Sequence, residues 1–142
     1  MAQRGAKHLA FVSRGGTAKE EAAQTVQTLI NMGVDVKVLR ANINNKKELS
    51  DALEQIDENF PIRGVLNAAT VLRDGLFRNM SFDDWQAVAS TKMVGTLNLH
   101  EIFSKPGQLD FFVVTSSVTA TLGSSGQANY GAGKYKTNSL FT

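Results

Sequence analysis

Ser117, Tyr130 and Lys134 form a series of a hydroxyl, a phenol and an amine: Tyr130 lies 13 positions after Ser117, and Lys134 four after Tyr130. Four residues apart on a helix, Tyr130 and Lys134 share a face. A phenol has an ordinary pKa of about 10, and an adjacent ammonium that stabilises the phenolate draws it toward neutrality. Thr115, Ser116 and Ser117 follow an apolar run at 109–114 with the length and composition of a central strand. Hydroxyls at the carboxyl end of such a strand sit where open α/β sheets bind ligands, so they can face a substrate. Singly, Tyr130 and Ser117 would read as a helix-start aromatic and a loop hydroxyl; the series is what points to a site.

The elements that must position these residues alternate along the chain. Residues 7–13 read as a strand closed by Arg14, Gly15 and Gly16. Thr17 and Glu20 form a capping box for a helix with an apolar stripe of Ala22, Val26, Leu29 and Ile30, which Gly33 ends. A second strand runs over 34–39, a second helix turns Leu49, Ala52, Leu53 and Ile56 inward until Pro61 stops it, and a third strand covers 62–66. Ser81 can cap a long helix bearing Phe82, Trp85, Val88, Leu99 and Phe103, with Asp83 and Asp84 favouring its dipole. The last helix starts at about Gln127. The alternation predicts an α/β fold, a parallel sheet with helices on both faces.

Composition bounds the function. With 142 residues, 42% of them hydrophobic, the chain can form one globular domain with a core. A net charge of +2 without a Lys/Arg cluster does not imply nucleic acid. Cysteine is absent, which removes disulfides and thiolate metal sites and is compatible with the cytosol. No apolar run is long enough to span a bilayer and no signal-peptide pattern opens the chain, so a cytoplasmic protein without membrane contact is expected. His8 and His100 lack the recurrent spacing of metal ligands and are expected to be structural or surface residues.

Three stretches carry a resemblance to a known family: 116–130, from the serines through Gly126-Gln127-Ala128-Asn129 to Tyr130; 64–77, Gly-Val-Leu-Asn-Ala-Ala-Thr-Val-Leu-Arg-Asp-Gly-Leu-Phe; and 92–100, Lys-Met-Val-Gly-Thr-Leu-Asn-Leu-His. In wording, order and separation they resemble the ketoreductase domain of polyketide synthases, within the short-chain dehydrogenase/reductase superfamily. The resemblance implies a Rossmann-like sheet and a single partial NADP-binding domain over 1–142. It implies descent from enzymes that use NADPH to reduce a β-keto acyl thioester, held on a carrier protein, to the β-hydroxy thioester in polyketide biosynthesis. Tyr130 then fits as proton donor, Ser117 as the hydroxyl orienting the carbonyl oxygen, and Lys92 as the ketoreductase lysine. Arg14 matches the basic residue that favours the 2′-phosphate, and Asn42 stands where the family has an adenine-contacting aspartate. Asn67 and Ala68 belong to the strand-end motif lining the cofactor. Leu72-Arg73-Asp74 resembles the leucine-aspartate-aspartate motif of ketoreductases giving D-configured alcohols, and Leu122 stands where the opposite class has tryptophan.

The chain also departs from the family. Ketoreductases usually carry asparagine four residues after the tyrosine, whereas lysine occupies both Lys92 and Lys134 here. Two ammonium groups at one phenol repel by a few kcal/mol at an effective dielectric near ~20, so one is expected to point elsewhere. None of the 12 glycines forms the glycine-rich turn that holds a dinucleotide pyrophosphate. Residues 1–9 resemble the segment entering the family's second strand and Thr142 falls within the tyrosine's helix, so the chain is expected to be a middle portion of the domain. In the strand order 3-2-1-4-5-6 an absent first strand leaves two interior edges, which either pair directly, 9–12 with 65–66, or stay apart. A partner chain or self-association could cover them. The alternative function is a non-catalytic remnant or interaction module that does not bind NADPH alone.

Overall fold

The computed structural model describes residues 1–139, and the chain divides into two compact units, Met1–Pro61 and Ile62–Thr142. The expectation for Thr142 falls outside the described residues.

In the first unit, β1 (His8–Ser13) runs parallel to β2 (Asp35–Arg40), with Leu9 beside Val36 and Val12 beside Leu39. Helix α1 (Glu20–Asn31) makes the crossover that parallel pairing requires. The expected capping box at Thr17 is not formed: the N-cap is Lys19, without a side-chain cap bond. The preceding turn explains the shift, because Ser13 Oγ accepts from Gly16 N at 2.9 Å and Ala18 N donates to Gly15 O at 3.1 Å. Residues 13–18 are thereby held in a turn, and the helix begins after it. Gly33 closes α1 as expected, with φ at +77°, a backbone conformation that disfavours side chains.

Helix α2 (Lys46–Leu53) is capped by Asn45, whose Oδ1 accepts from Glu48 N at 3.2 Å. It ends well before Pro61, since Gln55 N and Ile56 N bond to Ala52 and Leu53 carbonyls in tighter turns. Ile56 nonetheless packs, with Val12 and Leu53, against the core of Leu39, Ala41 and Ala52.

In the second unit β3 (Gly64–Asn67) is parallel to β4 (Phe111–Val114), with Gly64 beside Phe111 and Leu66 beside Val113. Each unit thus holds one parallel two-stranded sheet among the described residues. Val65 and Asn67 face the interior, whereas Leu66, Phe111 and Val113 on the other face are exposed. Helix α3 (Phe82–Ile102) lies between these strands in sequence. A short α4 (Thr119–Leu122), not foreseen from the sequence, precedes α5 (Ala128–Asn138). Helices α3 and α5 meet closely at Gly133, where an added Cβ would lie 3.3 Å from Lys92 Cβ and 3.4 Å from Ala89 Cα.

The start of α3 is as its sequence implies. Ser81 Oγ accepts from Asp84 N at 3.1 Å and donates to Asp84 Oδ2 at 2.7 Å. Ser81→Ala is expected to cost about 1 kcal/mol, read as a lower urea midpoint with unchanged slope.

Candidate active site

The second unit holds six of the residues singled out: Asn67, Ala68, Lys92, Ser117, Tyr130 and Lys134. Asn67 and Ala68 end β3, Thr115 to Ser117 follow β4, and both strands run parallel, so their carboxyl ends lie at one edge. The two ends are tied together: Thr115 N and Oγ1 both donate to Asn67 O, at 3.1 and 3.3 Å. Ser117 is half-buried, and its Oγ accepts from Thr119 N at 3.2 Å, a bond that helps start α4. A hydroxyl that accepts there keeps its own proton for another partner.

Tyr130 and Lys134 occupy successive turns of α5. Lys134 is 1% exposed; its Nζ donates to Thr115 O, to Thr115 Oγ1 at 3.3 Å and to Ser116 O at 3.4 Å, and stands 5.5 Å from the centre of the Tyr130 ring. One cation thus links the serine segment to the phenol. An ammonium with oxygen acceptors and an aromatic face is well accommodated despite burial.

Of the two lysines, one of which is expected to point elsewhere, Lys134 is the one that stands against the Tyr130 ring. Lys92 is also 1% exposed and lies beside Lys134. The conflict is relieved by proton loss: burial, and then the adjacent Lys134, lower the Lys92 pKa to about 7. No oxygen acceptor among the described residues reaches its Nζ, and the group beside it is the Lys134 amine. The root of the side chain is held firmly, because Lys92 O accepts from Thr96 Oγ1 at 2.5 Å and from Thr137 Oγ1 at 3.1 Å. Asn67 Nδ2 donates to the same Thr96 Oγ1 at 2.9 Å, so a buried hydroxyl relay runs from the end of β3 to the turn carrying Lys92.

This lowered pKa makes stability depend on pH. In the unfolded chain Lys92 binds a proton up to about pH 10.4, whereas the folded chain releases it near 7. The unfolded state therefore binds more protons within that window. The unfolding free energy should rise with pH between the two values, by at most ~1.4 kcal/mol per unit from this group. Urea titrations at pH 7 and 9 should show the rise, and Lys92→Met should flatten it.

Sequence reasoning missed Asn129. This residue is 0% exposed; Nδ2 donates to Arg73 O at 2.9 Å and to Asp84 O at 3.4 Å, and Oδ1 accepts from Tyr130 N at 2.7 Å. Beside it, Gln127 Nε2 donates to Asp74 Oδ2 at 3.0 Å, and Gly75 N to Gly126 O at 2.8 Å. The loop through Leu72, Arg73 and Asp74 is thus clamped to the start of the tyrosine's helix. An asparagine at a helix start was the available signal. Leu122, by contrast, is exposed.

Arg14 and Asn42 belong to the first unit. Arg14 is exposed just beyond β1. Asn42 is half-buried after β2, and its Oδ1 accepts from Asn44 N at 3.1 Å, so the side chain shapes its own turn. No helix among the described residues is long and apolar enough to cross a membrane.

Comparison with known proteins gives one answer. The model of the KR domain family matches residues 1–142. "Reducing polyketide synthase DEP5" of Fusarium langsethiae is 48% identical over 132 residues, which is 93% of this chain and 6% of that protein. "Highly reducing polyketide synthase curS1" of Aspergillus terreus is 43% identical over 90% of the chain and 5% of its own length. The chain therefore spans a small fraction of the curated relatives that it matches. Among solved structures, an A-type ketoreductase from a modular polyketide synthase matches with a TM-score of 0.91 and 29% identity, over 98% of this chain and 30% of the other. The PlmKR1 ketoreductase of phoslactomycin biosynthesis in Streptomyces sp. HK803 matches with a TM-score of 0.88 and 27% identity, over 98% and 32%.

Proposed function

The chain belongs to the KR domain family of polyketide synthases, and from that premise we propose that it carries the carbonyl-orienting and proton-donating half of a ketoreductase site without the half that holds the coenzyme. The observation that carries the reading is Lys134, which binds Thr115 and Ser116 on one side and faces the Tyr130 ring on the other. The substrate class is a β-keto acyl thioester presented on a carrier protein. Ser117 donates to the ketone oxygen and orients it. Tyr130 then gives its proton to the oxygen as negative charge develops there, and the Lys134 ammonium stabilises the phenolate left behind. Lys92, mostly neutral at physiological pH, adds little charge to that step.

In the complete family domain NADPH supplies the hydride. The residues present do not fit that coenzyme as a whole. The Asn67 carboxamide is committed internally to Thr96 and Ala69, Asn42 to Asn44, and the Gly15-Gly16 turn after β1 closes on Ser13. No glycine-rich fingerprint offers backbone N–H groups to a pyrophosphate. The single partial NADP-binding domain is thus one that needs the remainder of a ketoreductase to work, and Arg14 and Ala68 act on coenzyme only in that setting. The same points support the non-catalytic reading for the chain by itself.

The test has two arms. Calorimetric titration of the 142-residue protein with NADPH should give no heat of binding at micromolar concentrations. The chain exchanged for the matching segment of a complete ketoreductase domain should reduce an acetoacetyl thioester. Micromolar binding in the first arm, or an inactive but folded and NADPH-binding chimera in the second, would overturn the proposal.

A further inference from the structure

Helices α3 and α5 carry the two lysines, and side-chain bonds tie one helix to the other near both ends of α5. At its start Asn129 Nδ2 donates to Asp84 O at 3.4 Å, and near its end Thr137 Oγ1 donates to Lys92 O at 3.1 Å. The two ties are eight residues apart on each helix. Between them Gly133 meets Ala89 and Lys92, where an added Cβ would crowd both. Tyr130 and Lys134 therefore lie on the stretch of α5 held between the ties. Thr137 is 1% exposed and shares their face, seven residues after Tyr130 and three after Lys134. Its proton is shared with Gly133 O at 2.9 Å, a bond of the kind threonine commonly makes within its own helix. The bond to Lys92 O is the one that crosses.

We propose that Thr137 is a positioning residue of the reduction site: by holding the Lys92 carbonyl, its hydroxyl fixes the slide and rotation of α5 on α3 and keeps the Lys134 ammonium between the serine segment and the phenol. The inference rests on the reductase reading of Tyr130 and Lys134. The tolerance is small. Lys134 Nζ reaches Ser116 O at 3.4 Å, near the limit of a hydrogen bond, so a slight displacement of its helix breaks that contact. A displacement on the order of 1 Å at a reacting group can slow a reaction about 100-fold. The start of α5 does not make up for a lost tie at its end, because the Asn129 bond to Asp84 O is itself long and a helix held at one end can pivot. Packing does not either, since Gly133 has no side chain to key the two helices together. The same bond joins the backbone of one lysine to the helix of the other, so it also sets the separation of the two amines.

Thr137→Val keeps the shape of the side chain and removes the hydroxyl. Lys92 O still accepts from Thr96 Oγ1, so no buried carbonyl is orphaned and the variant should fold. In the chimera that completes a ketoreductase domain it should lower kcat about tenfold with KM within about twofold, and Thr137→Ser, which restores the hydroxyl, should recover the rate to within about twofold. Thr28→Val removes a within-helix hydroxyl bond on the exposed face of α1 and should leave kcat unchanged. A second readout needs neither coenzyme nor ketone. In the whole chain labelled with 13C-lysine, NMR reads the ring-current shift that Tyr130 imposes on the Lys134 methylene protons, identified by its loss in Lys134→Arg. Thr137→Val should lose most of that shift and Thr137→Ser should keep it. Gly133→Ala, which parts the helices by crowding and should fold because alanine favours helix, is expected to act like Thr137→Val. A folded Thr137→Val with the parent's kcat, or with the parent's Lys134 shift, would refute the proposal and leave a threonine that only adds stability. If Tyr130→Phe in the same chimera loses no activity, the reductase reading fails instead, and the lysine spectra alone decide whether Thr137 holds α5 in place.

Discussion

Tyr130→Phe, introduced into the chimera that completes the ketoreductase domain, is expected to slow reduction of a β-keto thioester about 100- to 10,000-fold, with the loss in kcat and little change in KM. The substitution removes one oxygen and leaves the scaffold. The ring remains for the Lys134 ammonium 5.5 Å from its centre, and the bonds from Lys134 to Thr115 and Ser116 do not involve the phenol. What is lost is the proton that reaches the developing alkoxide. Ser117 still orients the ketone, so residual turnover above background is expected. Steady-state kinetics of the folded variant decide the point, and a rate within threefold of the parent would remove Tyr130 from the mechanism.

The second large effect concerns stability. Asn129→Ala should lower the unfolding free energy by about 3 kcal/mol, because it leaves the Tyr130 N–H and the Arg73 carbonyl without the carboxamide they bond to at a fully buried position. Gln127→Ala, whose partner Asp74 is exposed, should cost about 0.5 kcal/mol. Urea unfolding followed by circular dichroism separates the two. Equal costs for both substitutions would mean that the clamp between the 72–75 loop and α5 has no special weight.

The contrast between these residues shows what a sequence can and cannot disclose. The Ser117, Tyr130 and Lys134 series was legible because its geometry is local: a strand end, a loop and one helical turn. Ser81 was legible for the same reason, since a cap and the amide it accepts from are three residues apart. Asn129 was not, because its partners Arg73 and Asp84 come from a distant loop and helix. The relay of Asn67, Thr96 and Thr137 joins three elements and has no signature in any one of them.

The errors have physical causes as well. Thr17 has a good capping sequence, but Ser13 competes for the same turn and wins by bonding Gly16. Reasoning about Lys92 and Lys134 as two fixed charges left out burial, which favours the neutral amine of Lys92. The alternation of strands and helices correctly indicated a parallel α/β arrangement, since hydrophobic runs report which elements form. The partner of each strand is set by tertiary pairing, which joins β1 to β2 and β3 to β4.

The outward face of the β3–β4 sheet has a practical corollary. Leu66 and Val113 lie side by side there with Phe111 a step along, all substantially uncovered. Such a surface is adhesive between molecules, and short parallel strands with bare edges add to it. Heating should then produce turbidity as the protein opens, so an apparent melting temperature would drift with scan rate and concentration and report colloidal kinetics in place of an equilibrium.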